Sequence, residues 1–473
     1  MARDLVHTPA TEPGRATSRA DAASDRRLRA LRVLFGVVLE VRLLYPLFDS
    51  PLTRLGSDPL RHWENGIQFL HPSIMGSDDP YLYQLWLYLL QRITAGSGTA
   101  LLLGCGLLCA SMPYGWYRAF RELMPVQAAL LGGVLMALVP DFLSLYGYFM
   151  TETLLLSLTG FAFWLTFRAC RKRSVPAFTA AAAIWLAACF TRTATLPLAV
   201  ISLLWIWLPQ PQRALKLLTC VALFLIIAIP AGLHGRAKLG YFAPFGNFYL
   251  HEIYRDSGNS RIELEFGPDG QYWFVSPSFA NPTFYPFSDW LTSRQGTARV
   301  AIDLSQGRRD WTREHERVVA RSTMSRMTDT WENLLYLGFG QSWPNNDRNT
   351  LMGWLTVWAR WIWVPLIGFV AYAWLRGTLH GPEGLLPVAG LLVFLWLGLQ
   401  QSGIVEGRFR VPLEPIFLAA AFVAGRRLIL SGSWAWMFVR HRAGSSSGVG
   451  SGAPDMARRM TASGFLKQVQ VLI

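Results

Sequence analysis

Glu406-Gly407-Arg408-Phe409-Arg410-Val411-Pro412-Leu413-Glu414-Pro415 lies between two long apolar runs near the end of the chain. Charges this close to a bilayer-spanning segment are costly when they face lipid, so by default they mark a functional site with an anionic partner. Two arginines one residue apart can hold a phosphate or pyrophosphate through forked, charge-assisted hydrogen bonds. The alternative is a pair of snorkelling membrane anchors. The flanking Glu406 and Glu414 favour the first reading. The segment thus implies a membrane protein that meets a phosphate-bearing ligand at one membrane face.

Composition agrees with the membrane half of that statement. Of 473 residues, 52% are hydrophobic and 16% charged, against about 25% charged in soluble domains. Runs such as 128–145, 153–167, 215–233, 355–375 and 385–399 approach the ~20 residues that a bilayer requires. Residues 1–28 are polar and Arg-rich, lack the apolar core of a cleavable signal, and are expected to form a disordered cytoplasmic tail.

The net charge of +14 is distributed as an orienting charge. Basic clusters fall at alternate ends of the apolar runs: Arg26, Arg27 and Arg29; Arg118 and Arg121; Arg168, Arg171, Lys172 and Arg173; Arg213 and Lys216; Arg376; Arg426 and Arg427. Placing all of them in the cytoplasm satisfies the positive-inside rule and leaves no case for nucleic-acid binding. On that basis about ten spans are expected, near 30–47, 98–118, 126–146, 151–168, 176–192, 194–209, 214–233, 354–376, 383–401 and 410–430. The piece 81–90 is too short to cross and is expected to lie in the interface or to re-enter. Cys105, Cys109, Cys170, Cys189 and Cys220 lie in or beside spans, so neither a structural disulfide nor a zinc site is expected.

Two segments outside the bilayer are long enough to carry function, and this topology puts both on the extracytoplasmic side. The first, 48–80, carries Asp49, Asp58, Glu64, Asp78 and Asp79 against Arg54 and Arg61. The second, 234–353, contains an alternating pair of runs, 261–266 and 271–275, around Gly267-Pro268-Asp269-Gly270, which reads as a β-hairpin. Apolar residues at helical spacing over 311–335 suggest an amphipathic helix returning to the membrane. The fold class expected is mainly α, polytopic, with a small extracytoplasmic α/β cap. Residues 29–233 form the N-terminal membrane module, 354–430 the C-terminal helices, and 431–473 a cytoplasmic tail with a flexible linker at 444–448.

Acids and arginines on one side of a membrane fit glycosyl transfer. That chemistry needs a carboxylate to take a proton from an acceptor hydroxyl and a cationic site to receive the departing phosphate. Asp58, in Gly56-Ser57-Asp58-Pro59, is the favoured base, and helix capping is its alternative role. Asp78-Asp79-Pro80 has the same capping pattern and is read as a cap.

In motif order the chain resembles the C-type (GT-C) integral-membrane glycosyltransferases, in the bacterial branch related to protein O-mannosyltransferases and the aminoarabinose transferase. The resemblance runs through Glu40-Val41-Arg42-Leu43-Leu44-Tyr45, then Asp58 followed by Trp63 and Glu64, then Asp79-Pro80-Tyr81-Leu82-Tyr83. It continues through Leu138-Val139-Pro140, Met150-Thr151-Glu152, Phe190-Thr191-Arg192 and Arg408-Phe409-Arg410-Val411-Pro412, and covers about 30–235 and 310–430. The chain departs from the family pattern at Pro59, Asp79 and Thr193-Ala194, which bears on substrate more than on fold.

The resemblance implies a sugar donor on polyprenyl phosphate, used at the outer face of the bacterial cytoplasmic membrane, with Asp58 as base. Glu64 and Glu152 are the carboxylates next in line for that role. Arg408, Arg410, Arg192 and Arg42 are the donor-phosphate candidates, Arg42 with snorkelling as its alternative. Glu152 could instead cap its helix, and Asp141, after Pro140, is a further acidic site. No cofactor is called for beyond the lipid-linked donor as co-substrate. No residue set stands out as a metal site, and a divalent ion stays an open alternative. The acceptor stays open among lipid, glycan and protein hydroxyls. A transporter or flippase for a lipid-linked sugar is the alternative of another class, since it too would use intramembrane arginines and outward acids.

Overall fold

The computed structural model describes residues 14–55, 58–72, 79–239, 242–245, 263–266, 272–275, 331, 334–335, 337–339, 351–400 and 410–431. Most of the expected cap helix over 311–335, most of the cap itself, Arg408 and the C-terminal linker lie outside them. Helices dominate: α1 (Gly14–Phe48), α2 (Asp58–Ile67), α3 (Tyr81–Ile93), α4 (Gly98–Leu123), α5 (Val126–Leu138), α6 (Pro140–Ser144), α7 (Thr151–Lys172), α8 (Val175–Thr191), α9 (Leu196–Trp207) and α10 (Arg213–Leu239). After them come α11 (Leu351–Leu375), α12 (Leu385–Gln400) and α13 (Glu414–Leu430). Two short strands, β1 (Glu263–Phe266) and β2 (Tyr272–Val275), pair antiparallel with Glu263 opposite Val275. The tail expected to be disordered is helical from Gly14 onward, in a stretch rich in the strong helix formers Ala and Arg.

Among the described residues five helices are long and apolar enough to cross a bilayer, within α4, α7, α10, α11 and Gly381–Gly398, which includes α12. A sixth is possible if α5 and α6 count as one span bent by 64°. The chain is therefore a multi-pass helical membrane protein, with fewer qualifying spans than the ten expected. Each of the other expected segments is helical, and each falls short for its own reason. The membrane part of α1 carries Arg29, Arg32, Glu40 and Arg42. α8 and α13 have 17 residues each, and α9 has 12. At 1.5 Å per residue, even 17 residues reach only about 25 Å. α3, at 13 residues, is too short to cross, as expected.

α4 and α7 form the centre, packing on each other more extensively than any other pair. Glycines permit the close approach. A Cβ on Gly160 would come within 2.8 Å of the Trp116 backbone nitrogen, and one on Gly115 within 2.9 Å of that of Phe161. Between helices in lipid, where apolar burial contributes little, such backbone proximity is what favours association. Where α1 crosses α4, a Cβ on Gly106 would collide with the Leu43 carbonyl. Buried rings fill the neighbouring space: Trp116 stacks on Phe163 at 5.4 Å, and Trp185 meets Phe163 edge-on at 5.3 Å. The Trp185 indole N–H finds Thr166 Oγ1 at 2.9 Å. α8 and then α10 extend this group, while α11 packs on α6, α12 on α9, and α13 on α5, α11 and α12.

Candidate functional site

Two segments that carry the family resemblance meet where the start of α7 lies beside the end of α8. α8 ends at Thr191, after which Arg192 adopts an extended conformation (φ −159°, ψ 115°) and a short 3-10 turn, Thr193–Thr195, follows. That turn aims Arg192 across to the first turn of α7, where its Nη1 pairs with Glu152 Oε1. Thr151 Oγ1 donates to Glu152 Oε2 at 2.9 Å and accepts from Arg192 at 3.3 Å. Glu152 is buried, while the Arg192 side chain keeps 16% of its exposure. The capping alternative for Glu152 does not hold: the cap residue is Met150, with no side-chain cap bond.

Arg42 does something else. Its guanidinium is buried and donates to three backbone carbonyls: Cys109 at 3.1 Å, Ala137 at 2.7 Å and Phe142 at 3.1 Å. The first of these is orphaned by sequence. Pro113, four residues after Cys109 in α4, has no N–H to offer it. The Ala137 carbonyl is orphaned by the α5–α6 break, where Val139 is extended and Pro140 opens α6. Arg42 thus supplies the donors that an interrupted pair of helices lacks, and its phosphate-binding assignment gives way to this one. Tyr146 covers the guanidinium at 5.6 Å.

On the other side of the same break sits Asp141, buried, with the Trp363 indole N–H 3.3 Å from its Oδ2. Trp363, from α11, also lies under the Arg410 guanidinium at 5.7 Å. Arg410 is wholly buried. Its Nε donates to Glu414 Oε1 at 2.8 Å, and its Nη1 to the carbonyls of Leu337 and of Gly338, the latter at 2.7 Å. Arg42, Asp141 and Arg410 therefore surround one bend, while Arg192 and Glu152 form a separate pair. Arg410 is held by protein groups and shaped by them, so the more accessible arginine among those described is Arg192.

The acidic first loop is organised by a residue the sequence reading treated as a cap. Pro80, not Asp79, caps α3, without a side-chain bond. Asp79, buried, instead gathers one face of α2: Arg61 Nε at 3.1 Å and Nη2 at 3.0 Å, Asn65 Nδ2 at 2.7 Å and His62 Nδ1 at 3.2 Å. The Asp79 carbonyl accepts from Gln84 at 2.9 Å. Trp63, on α2, stacks on Phe149 at 4.9 Å, and so fixes α2 beside the segment that leads into Glu152. Asp58 is the first residue of α2, one turn before Arg61 and His62. Glu64, on the same helix, is half-buried.

Asp49, at the end of α1, was also missed as a hub. It accepts from the Tyr45 hydroxyl and pairs with Arg54 at 2.5 Å, while the Arg54 guanidinium stacks on Tyr148 at 4.8 Å. The signal for Asp79 was present as a polar stripe at 61, 62 and 65, spaced for one helix face. For Asp49 no comparable pattern exists. A crevice lined by Tyr83, Trp86, Tyr146, Tyr148, Phe149 and Thr153 opens between these groups. Among the described residues no group of three His, Cys, Asp or Glu side chains is placed to hold a metal ion, and the five cysteines are free thiols.

The chain matches no family model and no curated protein.

Proposed function

We propose that this chain is a C-type membrane glycosyltransferase that moves a sugar from a polyprenyl-phosphate donor to an acceptor hydroxyl on the outer face of the membrane. One observation carries the reading. Segments that carry the resemblance and lie far apart in sequence come together: Arg192 pairs with Glu152, and Asp141 and Arg410 both touch Trp363. Buried charges in membrane helices tend to pair in any case, so the support lies in both partners of the Arg192–Glu152 pair falling on those segments.

In this reading Asp58, at the head of α2, accepts the proton of the acceptor hydroxyl. The hydroxyl oxygen attacks the anomeric carbon, the bond from that carbon to the phosphate oxygen breaks, and its electron pair leaves with the lipid phosphate. Arg192 and Arg408 stabilise the charge that develops on the departing phosphate. Arg410, fixed by Glu414 and two carbonyls, plays a structural part in this reading. Glu152 orients Arg192, whose partly exposed side chain is the one offered to the phosphate.

The test is incubation of the purified protein with labelled polyprenyl-phosphate sugars and cell-envelope acceptors. Sugar transfer that falls by about 10²–10⁴ in Asp58→Asn, with donor binding kept, is the expected result. Carrier movement across a bilayer without bond cleavage would replace the enzyme by a flippase.

A further inference from the structure

The end of the bundle away from Glu152 carries a second ordered charge cluster, which the glycosyl-transfer reading does not use. α4 presents Tyr114, Arg118 and Glu122 at four-residue intervals. α7 presents Phe161, Trp164, Arg168 and Arg171 at intervals of three and four. Residues at these spacings share a helix face, and the two faces meet along the α4–α7 seam.

The Arg118 guanidinium lies 4.2 Å over the Trp164 ring and donates to the Tyr114 hydroxyl at 3.0 Å. Arg168 lies 5.9 Å from the same indole. Trp164 Nε1 donates to Glu122 Oε1 at 3.3 Å, and Arg171 pairs with Glu122 Oε2 at 2.6 Å. Arg171 is 61% exposed, and Arg118 and Arg168 are half-buried. Arg121, Lys172 and Arg173 add to the charge, and Glu122 is the lone acid in α4 and in 161–175.

A charge run that merely orients a helix needs no fixed geometry, whereas these guanidinia are set on an indole that is itself hydrogen-bonded. Toward the bilayer centre, the same face of α4 continues in Tyr114 and in Leu107, 37% and 65% exposed. Cations at the helix ends and an exposed apolar track running inward match a molecule with a phosphate head and an acyl chain. The positive-inside arrangement puts this end at the cytoplasmic leaflet, which carries anionic lipid.

We propose that the α4–α7 seam is a binding site for an anionic phospholipid, with its phosphate held by Arg118, Arg168 and Arg171 and one chain laid along Tyr114 and Leu107. The proposal does not depend on the catalytic reading. It is tested by native mass spectrometry of the full chain purified in detergent and titrated with phosphatidylglycerol, phosphatidylcholine or inorganic phosphate.

Phosphatidylglycerol should be retained at lower concentration than phosphatidylcholine, and inorganic phosphate should not displace it. Each arginine near the surface contributes roughly fivefold in affinity, so Arg118→Gln combined with Arg168→Gln should weaken retention by roughly 25-fold. Arg376→Gln, at an exposed arginine at the end of α11, should leave it unchanged. Equal retention of the two lipids, displacement by phosphate, or wild-type retention in the double variant would each overturn the proposal. Should the double variant fail to purify, the comparison of the two lipids on the parent chain decides alone.

Discussion

Arg42 on α1 donates to the Ala137 carbonyl at 2.7 Å, across 95 residues of chain. With its bonds to Cys109 and Phe142, it ties α1 to the two places where neighbouring helices lose their own hydrogen bonds. Removing a buried donor leaves each carbonyl with the full penalty of desolvation, about 1–3 kcal/mol apiece. In membrane helices measured side-chain bonds are often weaker, near 1 kcal/mol. Arg42→Ala should therefore cost about 2–5 kcal/mol, read as a lowered unfolding midpoint in detergent. Arg42→Lys should recover only part of the loss, because one ammonium cannot reach three carbonyls held apart in a fork. An Arg42→Ala protein that unfolds with the parent would show the bonds to be energetically idle.

Glu152 and Arg192 lend themselves to a double-mutant cycle. Glu152 is buried and charged, so Arg192→Gln strands a carboxylate, and Glu152→Gln strands a cation that is mostly out of water. Either single change should destabilise more than removing both charges together would suggest, with a coupling of about 1–3 kcal/mol. Additive effects would mean that the pair is incidental to the fold, and that the Glu152 environment tolerates an isolated charge.

The α4–α7 crossing makes a steric prediction. Gly160→Val should separate the helices, because its new Cβ meets the backbone at Trp116, which cannot rotate away. Overpacking of this kind costs about 1–3 kcal/mol or more. Gly36→Ala, on α1 with nothing within 4 Å of the new methyl, is the control, and should be neutral or stabilising by up to about 1 kcal/mol. Equal unfolding midpoints for Gly160→Val and the parent would exclude close packing as the cause of the glycine pair.

Much of this architecture is legible in the chain, and the limits are physical. Among the described residues, apolar runs locate the five helices that qualify as spans, because hydropathy is set locally, although α4 and α10 run about a turn past the expected ends. Counting complete crossings failed where a helix was short, charged or bent, as at α8, α1 and the Val139–Pro140 break. The resemblance draws attention to both Arg192 and Glu152, but their pairing is a tertiary contact that depends on the extended backbone after α8. The use of Arg42 is not legible either, although half of its cause is in view: Pro113 alone implies an orphaned carbonyl at Cys109. What no sequence pattern supplied was that the first span passes beside that carbonyl. Asp79 illustrates the converse error. Asp before Pro carries a strong local capping signal, and tertiary contacts with Arg61, His62 and Asn65 overrode it.

That override leads to the last prediction. α2 has 10 residues, too few to be stable as an isolated helix in water. Beside its packing on α3, where Gly66 lies against Leu87 and His62 meets Tyr83, two contacts reach it from farther along the chain: the Trp63–Phe149 stack and the bonds from Arg61 and Asn65 to Asp79. Asp79→Ala removes the second of these at once. Hydrogen bonds to a charged group contribute about 1.5–3 kcal/mol each when buried. The Arg61 side chain is 25% exposed, so its share lies below that range. Losing even one such bond should raise amide exchange in α2 by about tenfold or more. The centre of the bundle, α4 and α7, should keep its protection, since neither helix donates to Asp79 in any of these bonds. Under the proposed function Asp58 rides on α2, so transfer should slow in Asp79→Ala while donor binding, which rests on the arginines, persists. Asp79→Asn should be the milder change, keeping an acceptor of similar shape without the charge. Hydrogen-exchange mass spectrometry separates the cases: unchanged protection of 58–67 in Asp79→Ala would show that packing on α3 and Phe149 fixes the helix without Asp79.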